Sequence, residues 1–171
     1  MKKIGLIYGS DTGATEGVSQ ELTKLLSKTF EVEEVDMYKI KPEDFDRFEY
    51  LVLGLSTWYD GELQSDWEDF FEDFCQIDFT GKTVALFGLG DQYGYGENFV
   101  DGIGILAVEI EKSGGKIVGK WPNKEYEFEE SKALINEDLF YGLALDEDNQ
   151  SELTSERLDQ WVDQLIGEIH C

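Results

Sequence analysis

Short apolar runs alternate along this chain with segments of helical period, and this alternation limits the fold more than any other feature of the sequence. The runs Lys3–Tyr8, Tyr50–Ser56 and Thr83–Leu89 are strand-like, and the segments between such runs place apolar residues three or four positions apart. Strands that alternate with helices pair in parallel, so the pattern predicts an α/β fold with a doubly wound parallel sheet. A length of 171 residues fits one such domain.

The pattern predicts five strands. They are Lys3–Tyr8, Phe30–Asp36, Tyr50–Ser56, Thr83–Leu89 and a fifth that begins at Lys116. The predicted helices run over about Glu16–Lys28, from Ser65 onward, over about Asn98–Lys112 and over about Ser155–Ile169. The fifth strand is interrupted, because its apolar pattern stops at Lys120 and resumes about twenty residues later at Phe140. At the start of the second predicted helix, Ser65 and Glu68 have the spacing of a capping box.

Charge and composition remove several classes of function. The chain has 38 acidic and 14 basic residues, a formal net charge of −24. Such a charge repels nucleic-acid phosphates and anionic lipid, so we expect no nucleic-acid and no membrane partner, and we expect attraction to basic protein surfaces. Because 41% of the residues are hydrophobic, a disordered acidic tail is also excluded.

Histidine and cysteine are too scarce for several kinds of catalytic or metal site. The only histidine is His170, and the two cysteines, Cys75 and Cys171, are far apart in sequence. Histidine-based catalysis and a zinc site therefore lack their ligands and bases, and a disulfide is not expected. Asp146–Asp148 does not continue into a calcium-binding EF-hand loop. The first apolar run is too short for a secretory signal, and no run reaches transmembrane length, which predicts a reduced, cytoplasmic protein without a bound metal.

The loop after the first strand has the composition of a phosphate-binding loop. Ser10–Thr15 is rich in hydroxyl groups, contains Gly13, and leads directly into a helix whose first amide groups carry partial positive charge. It lacks the Gly-Lys-Ser/Thr of a nucleoside-triphosphate loop and contains no lysine or arginine, which favours a small phosphate monoester. An ordinary strand-to-helix turn with capping hydroxyls is the plain structural alternative.

The loops after the third and fourth strands carry aromatic residues. Trp58 and Tyr59 lie in the first of them, and Tyr93 and Tyr95 lie among glycines in the second. Trp58 and Tyr59 could simply fold back onto the domain, but in doubly wound sheets ligands bind where these strand ends meet. A phosphate loop beside two aromatic loops indicates a phosphorylated planar ligand and predicts a site for flavin mononucleotide (FMN).

Together these motifs resemble the flavodoxin family over essentially the whole chain. Ser10–Thr15 matches the family's phosphate loop (T/S-x-T-G-x-T), Ser56–Leu63 its first flavin loop and Leu89–Tyr95 its second. The interruption between about Lys120 and Phe140 is similar to the insertion that marks long-chain flavodoxins. The resemblance implies one flavodoxin-like FMN-binding domain over residues 1–171, with five parallel strands in the order 2-1-3-4-5 and an insertion at about 120–140 in strand 5.

The resemblance also implies which residues bind the cofactor. The phosphate would be held by Ser10, Asp11, Thr12, Gly13, Ala14 and Thr15. The ring would be edged by Ser56, Thr57, Tyr59, Asp60, Gly61, Leu89, Gly90 and Asp91, with Asn98 and Asp146 nearby. Trp58 would cover one face of the flavin and Tyr95 the other. Ser56 stands where many relatives have proline, and the Tyr59–Asp60 peptide would lie beside the flavin N5.

By the same resemblance the chain is a low-potential one-electron carrier rather than an enzyme, with no catalytic residue. It would bind FMN non-covalently and shuttle electrons between redox proteins through semiquinone and hydroquinone states. The partners would be basic surfaces of redox proteins, such as a ferredoxin/flavodoxin–NADP reductase and a low-potential donor or acceptor, and we expect a monomer. The alternatives are a flavin-dependent quinone or nitro reductase, a response-regulator receiver, which needs an acidic residue that Leu55–Thr57 lacks, and an acidic inhibitor that mimics nucleic acid.

Overall fold

The structure is a computed structural model in which residues 1–170 are described, the side chain of His170 excepted; Cys171 lies outside the described residues. The strands are β1 (Lys3–Tyr8), β2 (Glu31–Asp36), β3 (Tyr50–Trp58), β4 (Glu62–Leu63), β5 (Thr83–Leu89), β6 (Lys116–Val118), β7 (Trp121–Pro122), β8 (Leu134–Asn136), β9 (Leu139–Phe140) and β10 (Leu143–Leu145). The α-helices are α1 (Ala14–Leu26), α2 (Ser65–Phe74), α3 (Asp101–Lys112) and α4 (Ser151–His170). Short 3-10 helices cover Met37–Lys39, Pro42–Arg47 and Gly96–Asn98.

The main sheet confirms the predicted doubly wound architecture. Its parallel strands lie in the order β2-β1-β3-β5, and the short β4 pairs antiparallel to the end of β3. The fifth position is shared by two segments, because β6 pairs with Thr83–Ala85 and β10 pairs with Phe87–Leu89. The predicted order 2-1-3-4-5 is therefore confirmed, with the fifth strand in two halves.

The insertion between these halves forms a small sheet of its own. Strands β7, β9 and β8 pair antiparallel within residues 121–140. An aromatic cluster joins the insertion to the loop before α3, since the ring of Phe99 in that loop lies 5.1 Å from that of Phe128 and 6.2 Å from that of Phe140. The insertion is thus packed on the domain.

The core forms where the apolar faces of the helices meet the sheet. Trp67 of α2 is fully buried, and its indole N–H donates to the carbonyl of Gly54 in β3 at 2.9 Å. Trp161 of α4 packs against Phe87 of β5 with 6.3 Å between ring centroids. The residues predicted to form the buried face of the last helix are all buried, namely Leu158, Trp161, Val162, Leu165 and Ile169.

Helix boundaries differ from the sequence prediction, and so does one cap. The capping box at Ser65 is wrong, because Gln64 caps α2 with a side-chain oxygen that accepts from the N–H groups of Asp66 and Trp67. Helix α3 begins at Asp101 rather than Asn98, because Val100 before it has a φ of 47° and breaks the helical path. Helix α4 begins at Ser151, four residues before the predicted start.

Candidate functional site

The carboxyl ends of the central strands open onto a cavity of about 230 Å³. This edge is where doubly wound sheets bind ligands, because the connections on either side diverge there. The cavity is lined by Asp11, Thr12, Ala14, Thr15, Ser56, Thr57, Trp58, Leu89, Gly90, Asp91, Tyr95, Glu147 and Asp148. The loops after β1, β3 and β5, which the sequence singles out, thus meet at a single site.

The loop after β1 forms a cradle suited to an anion. Gly13 has a φ of 94°, which a glycine adopts without strain, and its N–H donates to Ser10 Oγ at 3.0 Å. No side chain caps the first turn of α1, so the amide groups at its positive end face the loop. The side chains of Thr12 and Thr15 lie on the cavity wall beside them. Amides and hydroxyl groups are the donors that a phosphate monoester needs.

The Asp11 side chain joins this loop to the start of α2. Its Oδ1 accepts from Gln64 Nε2 at 2.9 Å and from Ser65 Oγ at 2.6 Å. Burial would raise the pKa of Asp11, but the hydrogen bonds from Ser65 and Gln64 outweigh it and hold the pKa below its usual value. The indole N–H of Trp58 makes no hydrogen bond of regular geometry, yet it is close enough to contribute to that lowering. Asp11 is therefore ionised at neutral pH and fixed in place.

The aromatic turn after β3 is tight and contains backbone in the left-handed region. Gly61 N–H donates to the Trp58 carbonyl at 3.1 Å, and Tyr59 has a φ of 46°. The Tyr59 ring is more than half exposed and lies between two others, 6.4 Å from Trp58 and 6.0 Å from Tyr95 by ring centroids. Trp58 and Tyr95 themselves line the cavity. The site thus offers two flat apolar surfaces to a planar ligand.

The loop after β5 is held by a network of amide and carboxylate groups. Asp91 Oδ1 accepts from Gly94 N–H at 2.7 Å and from Asn149 Nδ2 at 2.8 Å. Burial would raise the pKa of Asp91, but these bonds and one from the Tyr93 N–H lower it. Asp146 is fully buried and accepts from the main chain and the side chain of Gln92 at 3.2 and 2.7 Å. These contacts tie the loop to the segment after β10.

The cavity wall is strongly acidic. Four carboxylates line it, from Asp11, Asp91, Glu147 and Asp148, and no lysine or arginine is among the lining residues. Burial raises the pKa of Asp148, and the nearby charges of Asp91, Asp146 and Glu147 raise it further. A negative charge placed in this cavity therefore meets repulsion from the wall.

The structure brings most of the predicted site residues together. Eleven line the cavity: Asp11, Thr12, Ala14, Thr15, Ser56, Thr57, Trp58, Leu89, Gly90, Asp91 and Tyr95. The other seven lie behind or beside it: Ser10, Gly13, Tyr59, Asp60, Gly61, Asn98 and Asp146. Ser10 and Gly13 shape the cradle, and Asp60 is exposed in the turn. Asp146 lies beneath the second loop, with its oxygens occupied by Gln92 and Asn149.

Sequence reasoning missed three residues of the site. Glu147 and Asp148 line the cavity because β10 ends beside β5, so the rule of strand ends applies to the fifth strand as well. Gln64 binds Asp11 from the N-cap of α2. Glutamine is not among the residues that commonly cap helices, so no local signal indicated it.

Among the described side chains no group of three or more histidine, cysteine or acidic residues is arranged to hold a metal ion. Cys75 is a free, half-buried thiol away from the cavity, and burial together with Glu109 raises its pKa. None of the described helices combines the length and the apolarity needed to cross a bilayer.

The fold and the cavity define a doubly wound nucleotide-binding protein with its site at the switch point of the sheet. A sequence model of the flavodoxin family matches residues 6–161. A flavodoxin of Klebsiella pneumoniae is 49% identical over 171 residues, covering 99% of this chain and 96% of the relative. A flavodoxin of Synechocystis sp. is 48% identical over 165 residues, covering 96% of each chain. The chain belongs to the flavodoxin family.

Solved structures agree with this assignment. A crystal structure of Fusobacterium nucleatum flavodoxin bound to flavin mononucleotide has a TM-score of 0.92 and 37% sequence identity to this chain. The similarity covers 98% of this chain and 99% of that one. The doubly wound fold predicted from the sequence is therefore also that of a flavodoxin with its cofactor bound.

Proposed function

We propose that this chain binds FMN non-covalently and carries electrons between redox proteins. The observation that supports this most directly is the cavity in which an anion cradle without lysine or arginine lies beside Trp58 and Tyr95. The cradle fits a phosphate monoester, and the two rings fit a planar heterocycle. The flavodoxin of Fusobacterium nucleatum with FMN bound has the same fold.

In this proposal each part of the site has one task. The free amide groups of the first turn of α1 and the hydroxyls of Thr12 and Thr15 bind the phosphate. Trp58 and Tyr95 stack on the ring and exclude water from it. The predicted ring-edging residues that line the cavity, from Ser56 to Trp58 and from Leu89 to Asp91, contact the edge of the ring. Ser10, Asn98 and Asp146 lie outside the lining and hold the loops in place. Bound FMN supplies the redox chemistry, because it can accept electrons one at a time.

The acidic wall supports a low reduction potential. A unit charge about 10 Å from an added electron costs about 1.7 kcal/mol at an effective dielectric near 20, or about 70 mV for a one-electron couple. Four carboxylates line the cavity, and solvent screening reduces the contribution of each exposed one. The protein residues thus favour an electron carrier that gives its electrons away readily.

The test is the visible spectrum of the purified protein during stepwise reduction, with the released cofactor identified by mass. We expect a yellow protein that contains FMN and is reduced in two resolved one-electron steps. A colourless protein that does not take up added FMN would overturn the proposal. Steady turnover of a quinone or nitro compound with NAD(P)H would indicate a flavin-dependent reductase instead.

For partners we propose basic redox proteins, such as a ferredoxin/flavodoxin–NADP reductase and a low-potential donor or acceptor. The net charge of −24 supports this, because it steers positively charged surfaces toward the chain. The rate of reduction by such a reductase should fall as salt is added, since ions screen the attraction. A rate that does not depend on salt would contradict electrostatic steering.

We further propose that residues 1–171 act as one domain, as a monomer in the cytoplasm. The insertion supports the single domain, since Phe128 in it packs on Phe99 in the loop before α3. Sedimentation equilibrium of the purified protein tests the monomer, and a stable dimer would contradict it. Fractionation of the producing cells tests the location.

A further inference from the structure

Asp101, the first residue of α3, joins two segments that are distant in sequence. Its carboxylate is 1% exposed, so nearly all of its contacts are with the protein. Oδ2 accepts from Asn98 Nδ2 at 2.9 Å, and Oδ1 accepts from the N–H of Lys132 at 2.8 Å. The positive end of α3 also favours a negative charge at this position. A buried carboxylate thus binds the loop after β5 on one side and the insertion on the other.

The turn after β3 packs on the same pair of side chains. Gly61 has a φ of 88°, and a Cβ atom there would lie 2.9 Å from Asp101 Oδ2 and 3.0 Å from Asn98 Nδ2. Beside this contact, the N–H of Gly102 donates to Thr57 Oγ1 at 2.9 Å. The turn that carries Trp58 therefore rests directly on the first residues of α3.

On the side away from the turn, the hydrogen-bonded pair of Asn98 and Asp101 is supported by the backbone of the insertion. A Cβ atom at Gly104 would lie 2.0 Å from the carbonyl oxygen of Lys132, so the two backbones are in close contact. The N–H groups of Glu129 and Glu130 both donate to the carbonyl of Gly96, at 2.8 and 2.9 Å. The segment from Glu129 to Lys132 is thus bonded to the loop before α3 and packed on the helix itself.

Strained backbone in the two flavin loops makes this support necessary. Tyr59 has a φ of 46° and the β-branched Val100 a φ of 47°, values that side-chain-bearing residues rarely adopt. Such conformations persist only where the surrounding structure enforces them. Asp101 is adjacent to Val100 and contacts the turn of Tyr59 at Gly61. The buried carboxylate of Asp101 is therefore placed to enforce both backbone conformations.

We propose that Asp101 is a positioning residue through which the insertion holds the Trp58–Gly61 turn, and that it thereby determines how tightly the site binds FMN and at what potentials the bound cofactor is reduced. The inference rests on the proposed function. Asp101 does not line the cavity and acts through Asn98 and Gly61. Supporting residues of this kind fix the geometry of a site to fractions of an ångström.

The first experiment removes the carboxylate and then restores the contact. Asp101→Ala should weaken FMN binding about tenfold and change the separation between the two one-electron midpoint potentials. The exchange Asn98→Asp with Asp101→Asn places an amide donor opposite a carboxylate again and keeps an acceptor for Lys132. It should recover most of both quantities. If Asp101→Ala does not fold, Asp101→Asn alone, which preserves volume, takes its place with the same expectation.

The second experiment acts from the insertion side. Gly104→Ala displaces Lys132 without touching the turn, so it should shift the potentials in the same direction as Asp101→Ala. Gly167→Ala is the matched control, because it lies on α4 with open space around the added methyl group, and it should shift neither potential.

Two results would overturn the inference in distinguishable ways. If Asp101→Ala and Gly104→Ala lower the free energy of unfolding of the apoprotein but leave FMN affinity and both potentials unchanged, Asp101 serves stability alone. If the unmodified protein takes up no FMN, the proposed function fails and the inference fails with it.

Discussion

The side-chain amide of Gln64 is bonded to the carboxylate of Asp11, with 2.9 Å between Nε2 and Oδ1. The same side chain caps α2 through its oxygen, which accepts from the N–H groups of Asp66 and Trp67. Gln64 is fully buried, so its bonds hold the cradle after β1 at a fixed place relative to α2.

Gln64→Ala should therefore weaken both the fold and the site. Loss of a helix cap costs about 1 kcal/mol, and the loss of one of the two side-chain donors to the Asp11 carboxylate adds to that cost. We expect weaker FMN binding in fluorescence-quenching titrations and a lower free energy of unfolding in urea. Gln160→Ala on the exposed face of α4 is the control and should change neither. Unchanged FMN affinity in Gln64→Ala would show that the cradle does not depend on this contact.

Asp148→Asn should raise the potential at which the second electron enters. The substitution removes one carboxylate from the cavity wall. Because Asp148 is exposed, solvent screens most of its effect, and we expect a rise of about 20 to 40 mV in a redox titration. The exposed Asp163 on α4 provides the control substitution Asp163→Asn, for which no rise is expected. A fall in potential for Asp148→Asn would contradict the electrostatic explanation.

Asp11 should contribute to stability only where it is ionised. Its pKa is lowered in the folded protein, because the bonds from Ser65 and Gln64 outweigh the effect of burial. The stabilisation is therefore present above the ordinary aspartate pKa of about 4 and is lost as the pH falls through the lower folded pKa.

Urea unfolding of the apoprotein between pH 3 and 7 measures this effect by difference. The free energy of unfolding of Asp11→Asn should lie below that of the unmodified protein at pH 7, and the gap should close toward pH 3. Taking the difference removes the general change in charge repulsion that acidification causes. In Asp159→Asn, at an exposed position of α4, no such gap is expected. A gap that is constant with pH would refute the role of ionisation.

The two arginines allow a matched comparison of the same substitution. Arg157 is 5% exposed, and its guanidinium lies 4.4 Å from the ring centroid of Tyr126 in the insertion. It donates to Gln150 Oε1 at 2.9 Å and forms no salt bridge among the described residues. Lysine cannot stack on the ring in this way, so Arg157→Lys should cost about 1 to 2 kcal/mol of unfolding free energy.

The exposed Arg47 is the control. Its guanidinium forms a salt bridge to Glu33 at 2.9 Å, and about half of the arginine side chain is exposed. A lysine can form this salt bridge as well. Arg47→Lys should therefore change the unfolding free energy by less than about 0.5 kcal/mol. Equal effects of the two substitutions would show that the stacking of Arg157 on Tyr126 adds nothing.

Local pattern was enough to predict the sheet but not the start of α2. Parallel strands are read from short apolar runs, and β5 was predicted with its observed limits. At the start of α2, Ser65 and Gln64 are both able to cap the helix. In the folded chain the Ser65 hydroxyl donates to Asp11, 54 residues away, and Gln64 takes over the cap. A contact between residues so distant in sequence cannot be predicted from a local pattern.

The candidate site likewise has a part that could be predicted from the sequence and a part that could not. The residues of the loops after β1, β3 and β5 were predictable because strand ends converge in this architecture. Whether a polar residue faces the cavity or lies beneath it depends on the path of the loop. Asp146 turns inward to Gln92, whereas its neighbours Glu147 and Asp148 reach the cavity. The start of α4 at Ser151 was also missed. Residues Ser151–Thr154 are mostly polar and so lack an apolar helical pattern, and their helical turn continues from the turn that Asp146–Gln150 forms.

The two edges of the main sheet bear on how this protein avoids aggregation. At one edge β2 carries Glu31, Glu33, Glu34 and Asp36 among its six residues. At the other edge the insertion divides the backbone into β6 and β10, of three residues each. Exposed sheet edges are the usual starting points for amyloid-like strand addition, and charge or shortness protects them. A second molecule that added a strand to this sheet would be repelled by the acidic side chains of β2 at one edge. At the other edge it would find only strands of three residues to pair with.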